Sequence, residues 1–211
     1  MNNLIIIGAG GMARQVYQFA KVCKGFQKDY LIKGFLDDNA HAMDGFNGYP
    51  QVLDTIDNYQ IQPNDIFFNS IGDVTAKKKC INKILDKGGE FITLIHPTAI
   101  ISEGTKIGRG CMVAARVGVG TESVIGDFCL IQSNAIIGHD VHIGNFCRVD
   151  CNVVLIAGVV LDDDVCIHTS SVINHNVHIG NNATVGALSF VIRNVKPDTC
   201  VQGNPARKVV F

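Results

Sequence analysis

The sequence predicts two parts: a small α/β domain built on a βαβ unit, followed by a parallel β-helix. Three observations carry this. From Ala99 to Asn194 the chain divides into sixteen hexads; the third place is always Ile, Val or Leu, and the first is Ala, Ser, Thr, Val or Cys. The N-terminal LIIIGAGGMARQVYQFAKVCKG reads as strand, glycine turn and helix. Between these segments, short apolar runs alternate with helical patterning, as a parallel sheet requires. The parts are assigned to residues 1–95 and 96–211.

In order, Leu4 to Ile7 form a buried strand. Gly8, Gly10 and Gly11 make the turn. Val16, Phe19, Ala20 and Cys23 then share one helical face before Gly25 stops it. Such a turn aims backbone N–H groups at a helix start, which suits a phosphate. The motif has Ala13 where a full dinucleotide fingerprint has its third glycine, and a tight ligand-free turn is the competing reading. YLIKGFLDDN supplies a second strand ending at Asp37 and Asp38, which suit a sugar hydroxyl or a base edge, or else cap the loop. Val52 to Tyr59 reads as a short helix, Asp65 to Ile71 as a third strand ending at Gly72, and Val74 to Lys87 as a helix whose Lys77–Lys79 run is solvated. Phe91 to Ile95 is a fourth strand, and because Ile95 is already in phase with the hexads, the coil can begin within TLIHPT.

The six-residue period fits neither a helix nor a simple alternation. Strands that turn a corner every six residues do fit it, three sides closing one coil of about eighteen. Large aliphatics then stack as interior ladders, with the small first-place residues near the corners. Cys111, Cys129 and Cys147 lie eighteen apart, and HDVHIGN at His139 returns as HNVHIGN at His175, two coils on. After Asn194 the period breaks at Pro197 and Pro205, giving a short, partly extended tail.

The net charge of −1 advertises no nucleic-acid surface. No apolar run is long enough to span a bilayer, and no window resembles a signal peptide. The eight cysteines form neither a secreted framework nor a CxxC zinc site, so reduced thiols in the cytoplasm are expected.

The chain resembles the sialic acid O-acyltransferase family and its relatives that N-acetylate nucleotide-linked 4-amino-4,6-dideoxy sugars. The carriers are IIIGAGGMAR, GFLDD, IGD at Ile71 to Asp73, IHPTA at Ile95 to Ala99, IIGHDVHIGNF, and GNPARKV. The resemblance implies a Rossmann-like domain that binds the nucleotide sugar through Gly8, Gly10, Gly11, Asp37, Asp38 and Gly72. It implies a left-handed β-helix, against the usual crossover hand, and a homotrimer. Acetyl-CoA is the implied acyl donor, with no metal. His139 matches the family's general base and Asp140 its orienting acid. A neutral imidazole suits an amine that must lose a proton. Gly158 matches the thioester end, where its N–H stabilises an oxyanion. Ala187 leaves room for the pantetheine arm, and Gly203, Pro205 and Arg207 cover the adenine and its phosphate.

The implied reaction is acetyl transfer to the 4-amino group of a UDP- or dTDP-linked sugar by direct attack, in bacterial surface polysaccharide synthesis. O-acetylation of sialic acid or another sugar hydroxyl is the alternative. Relatives carry a second histidine nine residues after the base. Here that place is Arg148, suited to a phosphate or an acyl oxygen, which leaves the acceptor or the acyl group open. His175 repeats the corner place of His139 with Asn176 in place of the acid, and reads as scaffold. His142 and His178 lie off the flat sides. The H-x-x-H pairs do not match the ligand spacing of zinc-dependent carbonic anhydrases of this architecture. A non-enzymatic trimeric scaffold is the remaining class.

Overall fold

The computed structural model describes residues 1–209 and divides the chain into two compact units, Met1–Leu94 and Ile95–Phe211. The first contains β1 (Asn2–Ile7), α1 (Gly11–Ala20), β2 (Tyr30–Leu36), β3 (Val52–Asp54), β4 (Asp65–Asn69), α2 (Val74–Asp86) and β5 (Glu90–Phe91). The strands form one parallel sheet in the order β3-β2-β1-β4-β5. Leu4 to Ile7 are fully buried, as the central strand of a sheet covered on both faces must be. Ala13 is also fully buried, so position 13 is a packing position that a methyl group fills.

Two sequence expectations are corrected in this unit. Val52–Tyr59 is not a helix. Val52–Asp54 pairs with β2 as the edge strand, and a turn from Thr55 to Tyr59 follows. Two β-branched or branched residues beside an open sheet edge outweigh a short run of weak helix formers. The segment after α2 is two strands, not one: Glu90–Phe91 closes the first sheet, whereas Leu94–Ile95 starts the coil. The 55–65 loop is pinned by Asp65, which accepts from Lys33 Nζ at 2.9 Å, Tyr59 Oη at 2.7 Å and Gln62 N at 2.8 Å. Burial alone would raise this carboxyl; those donors hold it below the usual range.

The second unit is a parallel β-helix with three faces, each strand pairing with the one eighteen residues on. Face I runs upward from Leu94–Ile95 through Met112–Val113, Leu130–Ile131, Arg148–Val149, Cys166–Ile167 and Thr184–Val185. Face II runs from Ile100–Ile101 to Phe190–Val191, and face III from Lys106–Ile107 to His178–Ile179. The third-place aliphatics point inward. The sixth place of every hexad from Gly104 to Leu188 has positive φ, so each corner turns through a left-handed residue.

The small first place has a second physical reason. Its hydroxyl or thiol reaches the fourth-place carbonyl fifteen residues on: Cys111 to Gly126, Ser123 to Gly138, Cys129 to Gly144, Cys147 to Asp162 and Ser171 to Gly186, at 2.8–3.0 Å. All eight cysteines are free thiols. At the corner between faces III and I, an Asx ladder satisfies the fifth-place amides. Arg109 N donates to Asp127, Asp127 N to Asn145, Asn145 N to Asp163 and Asp163 N to Asn181, at 2.6–3.0 Å. Asn145→Ala removes one acceptor from this column and is expected to cost about 1–2 kcal/mol in urea unfolding.

The tail is short and partly extended, as expected, and it also pairs with the coil. Cys200–Gly203 pairs with Thr184–Val185 as a further face I strand, and Ala206–Lys208 folds back on it antiparallel. The uppermost rung of face I would otherwise expose a bare sheet edge. No helix among the described residues is long and apolar enough to cross a membrane.

Candidate active site on the β-helix and its flanking domain

His139 occupies the fifth place of its hexad, at the corner between faces II and III. Its side chain is 64% exposed, and Nδ1 lies 2.6 Å from Asp140 Oδ2. Asp140 is the left-handed corner residue, with φ of 55°. A carboxylate only accepts, so in the neutral ring the shared proton sits on Nδ1 and Nε2 keeps its lone pair. That is the form a general base needs.

This corner lacks the Asx ladder of its neighbour. Its fifth places above His139 are Ala157, His175 and Arg193, none of which supplies an acceptor for the amide one coil below. The Ala157 N–H therefore has no hydrogen-bond acceptor among the described residues, one coil above His139. The Gly158 N–H does have one: it donates to His139 O at 3.1 Å. The open donor in this turn is Ala157's, not that of Gly158, which the resemblance singled out. Gly158 has a conformational role instead, with φ of 71° and Asn176 Oδ1 lying where a Cβ would go. Gly138, just before His139, sits under the next coil, where a Cβ would come within 2.7 Å of Ala157 N.

At the upper end of the same corner is a cavity of about 550 Å³ between the last coil and the tail hairpin. Arg193, Lys196, Arg207 and Lys208 line it, with no carboxylate among the lining residues. Gly203 ends the first hairpin strand beside it, and Asn204 and Pro205 form the turn. Ala187 stands on a different corner, between faces I and II, so no single corner of one chain carries both Ala187 and Gly158.

Arg148 projects from face I, the face opposite the His139 corner. Its Nε donates to Asp150 at 2.6 Å, and this bond raises the guanidinium further. His168 and Gln132 share Asp150, at 3.0 and 2.7 Å. Cys166 lies 3.8 Å from the His168 ring, and burial pushes its thiol up to about 11, so it is no activated nucleophile. The sequence reading missed Asp150 and His168. The one available signal was polar residues at successive fourth places, Gln132, Asp150 and His168, eighteen apart. His178 pairs with Asp162 at 2.8 Å on face III.

In the first unit, the end of β1 meets the ends of β2 and β4. Gly8 takes φ of 91° and its N–H donates to Leu36 O. α1 begins without a side-chain cap and without an acidic residue in its first turn. A Cβ on Gly10 or Gly72 would meet nothing within 4 Å, so packing does not demand glycine there. The two aspartates divide. Asp37 accepts from Ala9 N at 2.7 Å and Asn39 N at 2.9 Å, which ties β2 to the glycine turn. Asp38 is exposed, with no hydrogen-bond partner among the described residues. Asp37 is thus a structural clasp, and Asp38 is the carboxylate left facing outward.

Comparison with known proteins agrees with this construction. The PglD N-terminal domain family matches residues 3–84, and bacterial transferase hexapeptide repeats match residues 122–157. The structure of PerB from Caulobacter crescentus, in complex with CoA and GDP-perosamine, is similar over 100% of this chain and 98% of that one, with a TM-score of 0.87 and 26% identity. The acetyltransferase domain of PglB from Neisseria gonorrhoeae, in complex with acetyl coenzyme A, is similar over 99% of this chain and 100% of that one, with a TM-score of 0.87 and 25% identity.

These findings support the resemblance to left-handed β-helix acyltransferases that carry a PglD-like N-terminal domain. A curated relative, the UDP-N-acetylbacillosamine N-acetyltransferase of Bacillus subtilis, is 26% identical over 119 residues. That match spans 54% of this chain and 52%, about half, of the relative. Within the family frame, the cavity under the tail and the His139 corner belong to the acyltransferase part, and the glycine turn with Asp38 to the PglD-like part.

Proposed function

We propose that this chain transfers the acetyl group of acetyl-CoA to the 4-amino group of a nucleotide-linked amino-deoxy sugar. The observation that carries the reading is the arrangement along one corner. An imidazole–carboxylate pair, His139 and Asp140, lies one coil below the open amide of Ala157 and three coils below the cation-lined cavity. Three coils are about 14 Å, a length suited to a pantetheine arm. CoA then places its phosphates among Arg193, Lys196, Arg207 and Lys208 and its thioester near His139. His139 Nε2 takes the proton from the attacking nitrogen, and Ala157 N–H faces the developing oxyanion. The nucleotide lies at the glycine turn, with Gly10, Gly11 and Gly72 admitting it closely and Asp38 reading its base or sugar. The relatives whose names carry CoA, acetyl coenzyme A or an N-acetyltransferase activity support this choice over a scaffold.

The assembly is a homotrimer. Face II presents Ile100, Gly118, Ile136, Val154, Val172 and Phe190 outward as an unbroken stripe, and Ile100 is 74% exposed. An apolar strip along a whole face suits burial against other copies. We place the enzyme in the cytoplasm, with acetyl-CoA and free thiols, making precursors of surface polysaccharide.

The test is release of CoA thiol from acetyl-CoA with UDP-, dTDP- and GDP-linked 4-amino sugars, beside amine-free nucleotide sugars and sialic acid. Turnover confined to an amino sugar is expected. Turnover with sialic acid alone would move the reading to O-acetylation. In the same assay, Arg193→Ala with Arg207→Ala is expected to raise the KM for acetyl-CoA roughly tenfold, with kcat little changed.

A further inference from the structure

We propose that His168 is a second proton-carrying residue of the acyl transfer, oriented by Asp150, and that it meets His139 only between two copies of the chain. The inference rests on the acyl-transfer and trimer reading above. Asp150 has a side chain only 7% exposed, yet it accepts from Arg148 Nε at 2.6 Å, Gln132 Nε2 at 2.7 Å and His168 Nδ1 at 3.0 Å. The carboxylate has no proton of its own to give, so Nδ1 carries one and Nε2 is the nitrogen available at the rim, where the ring is 40% exposed. This is the His139–Asp140 arrangement again, built from residues eighteen apart and held far more firmly. The coil does not need it, because the same column holds Ala114 below and Gly186 above.

Within one chain the two imidazoles cannot cooperate. His139 is at the corner of faces II and III, whereas Asp150 and His168 lie at the end of face I that leads into face II. The two groups flank opposite edges of the apolar face II. A ring of three copies that turns face II inward brings the II–III corner of one copy against the I–II corner of the next. Such a ring involves no shift along the coil axis, so heights are shared. Asp150 stands about 3 Å above His139, and His168, one coil higher again, reaches down to it. Ala187 lies on the same I–II corner as this cluster.

The proton balance of the transfer gives the second imidazole a task. The new C–N bond forms as the C–S bond breaks. The nitrogen sheds its proton to His139 Nε2 of one copy. The leaving thiolate takes a proton from Nε2 of protonated His168 of the next. Asp150 is the positioning residue, and Arg148 completes its shell.

The experiment uses the full chain with acetyl-CoA and the best amino-sugar acceptor. His168→Gln and His168→Ala, each with the sedimentation of the wild type, are expected to lose at least about tenfold in kcat. The pH–rate profile of His168→Gln is expected to lose its high-pH fall, which reports an acid, and to keep its low-pH fall. Asp150→Asn is expected to lower kcat with the KM for acetyl-CoA unchanged. His139→Ala and His168→Gln chains, co-expressed with different tags, are expected to recover about a quarter of wild-type turnover, because a quarter of randomly formed interfaces hold both intact histidines. Wild-type turnover by His168→Gln, an unchanged profile shape, or a mixture as inactive as its parents each overturns the proposal. A wild-type chain that releases no thiol with any acceptor overturns the activity reading itself, and this proposal with it.

Discussion

His139→Ala is expected to lower kcat/KM on the order of 10²–10⁴-fold while leaving acetyl-CoA binding and assembly intact. The side chain is 64% exposed, and its one strong contact is to its own neighbour, Asp140. No rung of the coil depends on it, so the loss would be chemical. Thiol release, isothermal titration with CoA and sedimentation together check this. Activity within threefold of the wild type would remove the general-base role. His175→Ala, in the equivalent corner place two coils up but followed by Asn176, serves as the comparison and is expected to keep most activity.

Leu155→Ala is expected to destabilise the coil by about 3 kcal/mol, within the usual 2–5 for such truncations. Leu155 is fully buried in the face II ladder between Ile137 and Ile173. Each coil touches only its two neighbours, so the cavity cannot be closed by a general shift of the core. For a chain of this size the loss corresponds to a fall of roughly 6–12 °C in Tm, measurable by calorimetry. An unchanged Tm would mean that the ladder is not a packed interior. His139 lies just beyond the adjacent rung, after Ile137 and Gly138, so residual activity at low temperature would separate loss of fold from loss of chemistry.

The β-helix was legible because its physics is local and repeated. One inward aliphatic every six residues forces a rung, and sixteen rungs force a ladder. The place of His139 at a corner followed from the same count. The glycine turn was legible too, since β1, Gly8 and α1 are contiguous in sequence. The errors fell where partners are distant. Val52–Asp54 became a strand because β2 had an unpaired edge. The single strand expected over Phe91 to Ile95 split in two because Glu90–Phe91 paired with β4, while Leu94–Ile95 opened face I. Asp37 looked like Asp38 in sequence, and only the Ala9 amide, twenty-eight residues away, distinguishes them.

By itself, then, the sequence determined the two-part architecture, the hexad register and the corner position of the His139–Asp140 pair, because each follows from short-range periodicity. The tertiary structure alone decided the rest. Stacking set which amide stays open, Ala157 and not Gly158, because that depends on the side chain one coil above. The return of the tail placed four cations around one cavity. Coil closure brought His168 onto the local Arg148–Asp150 pair, a contact that exists only once eighteen residues make a full turn.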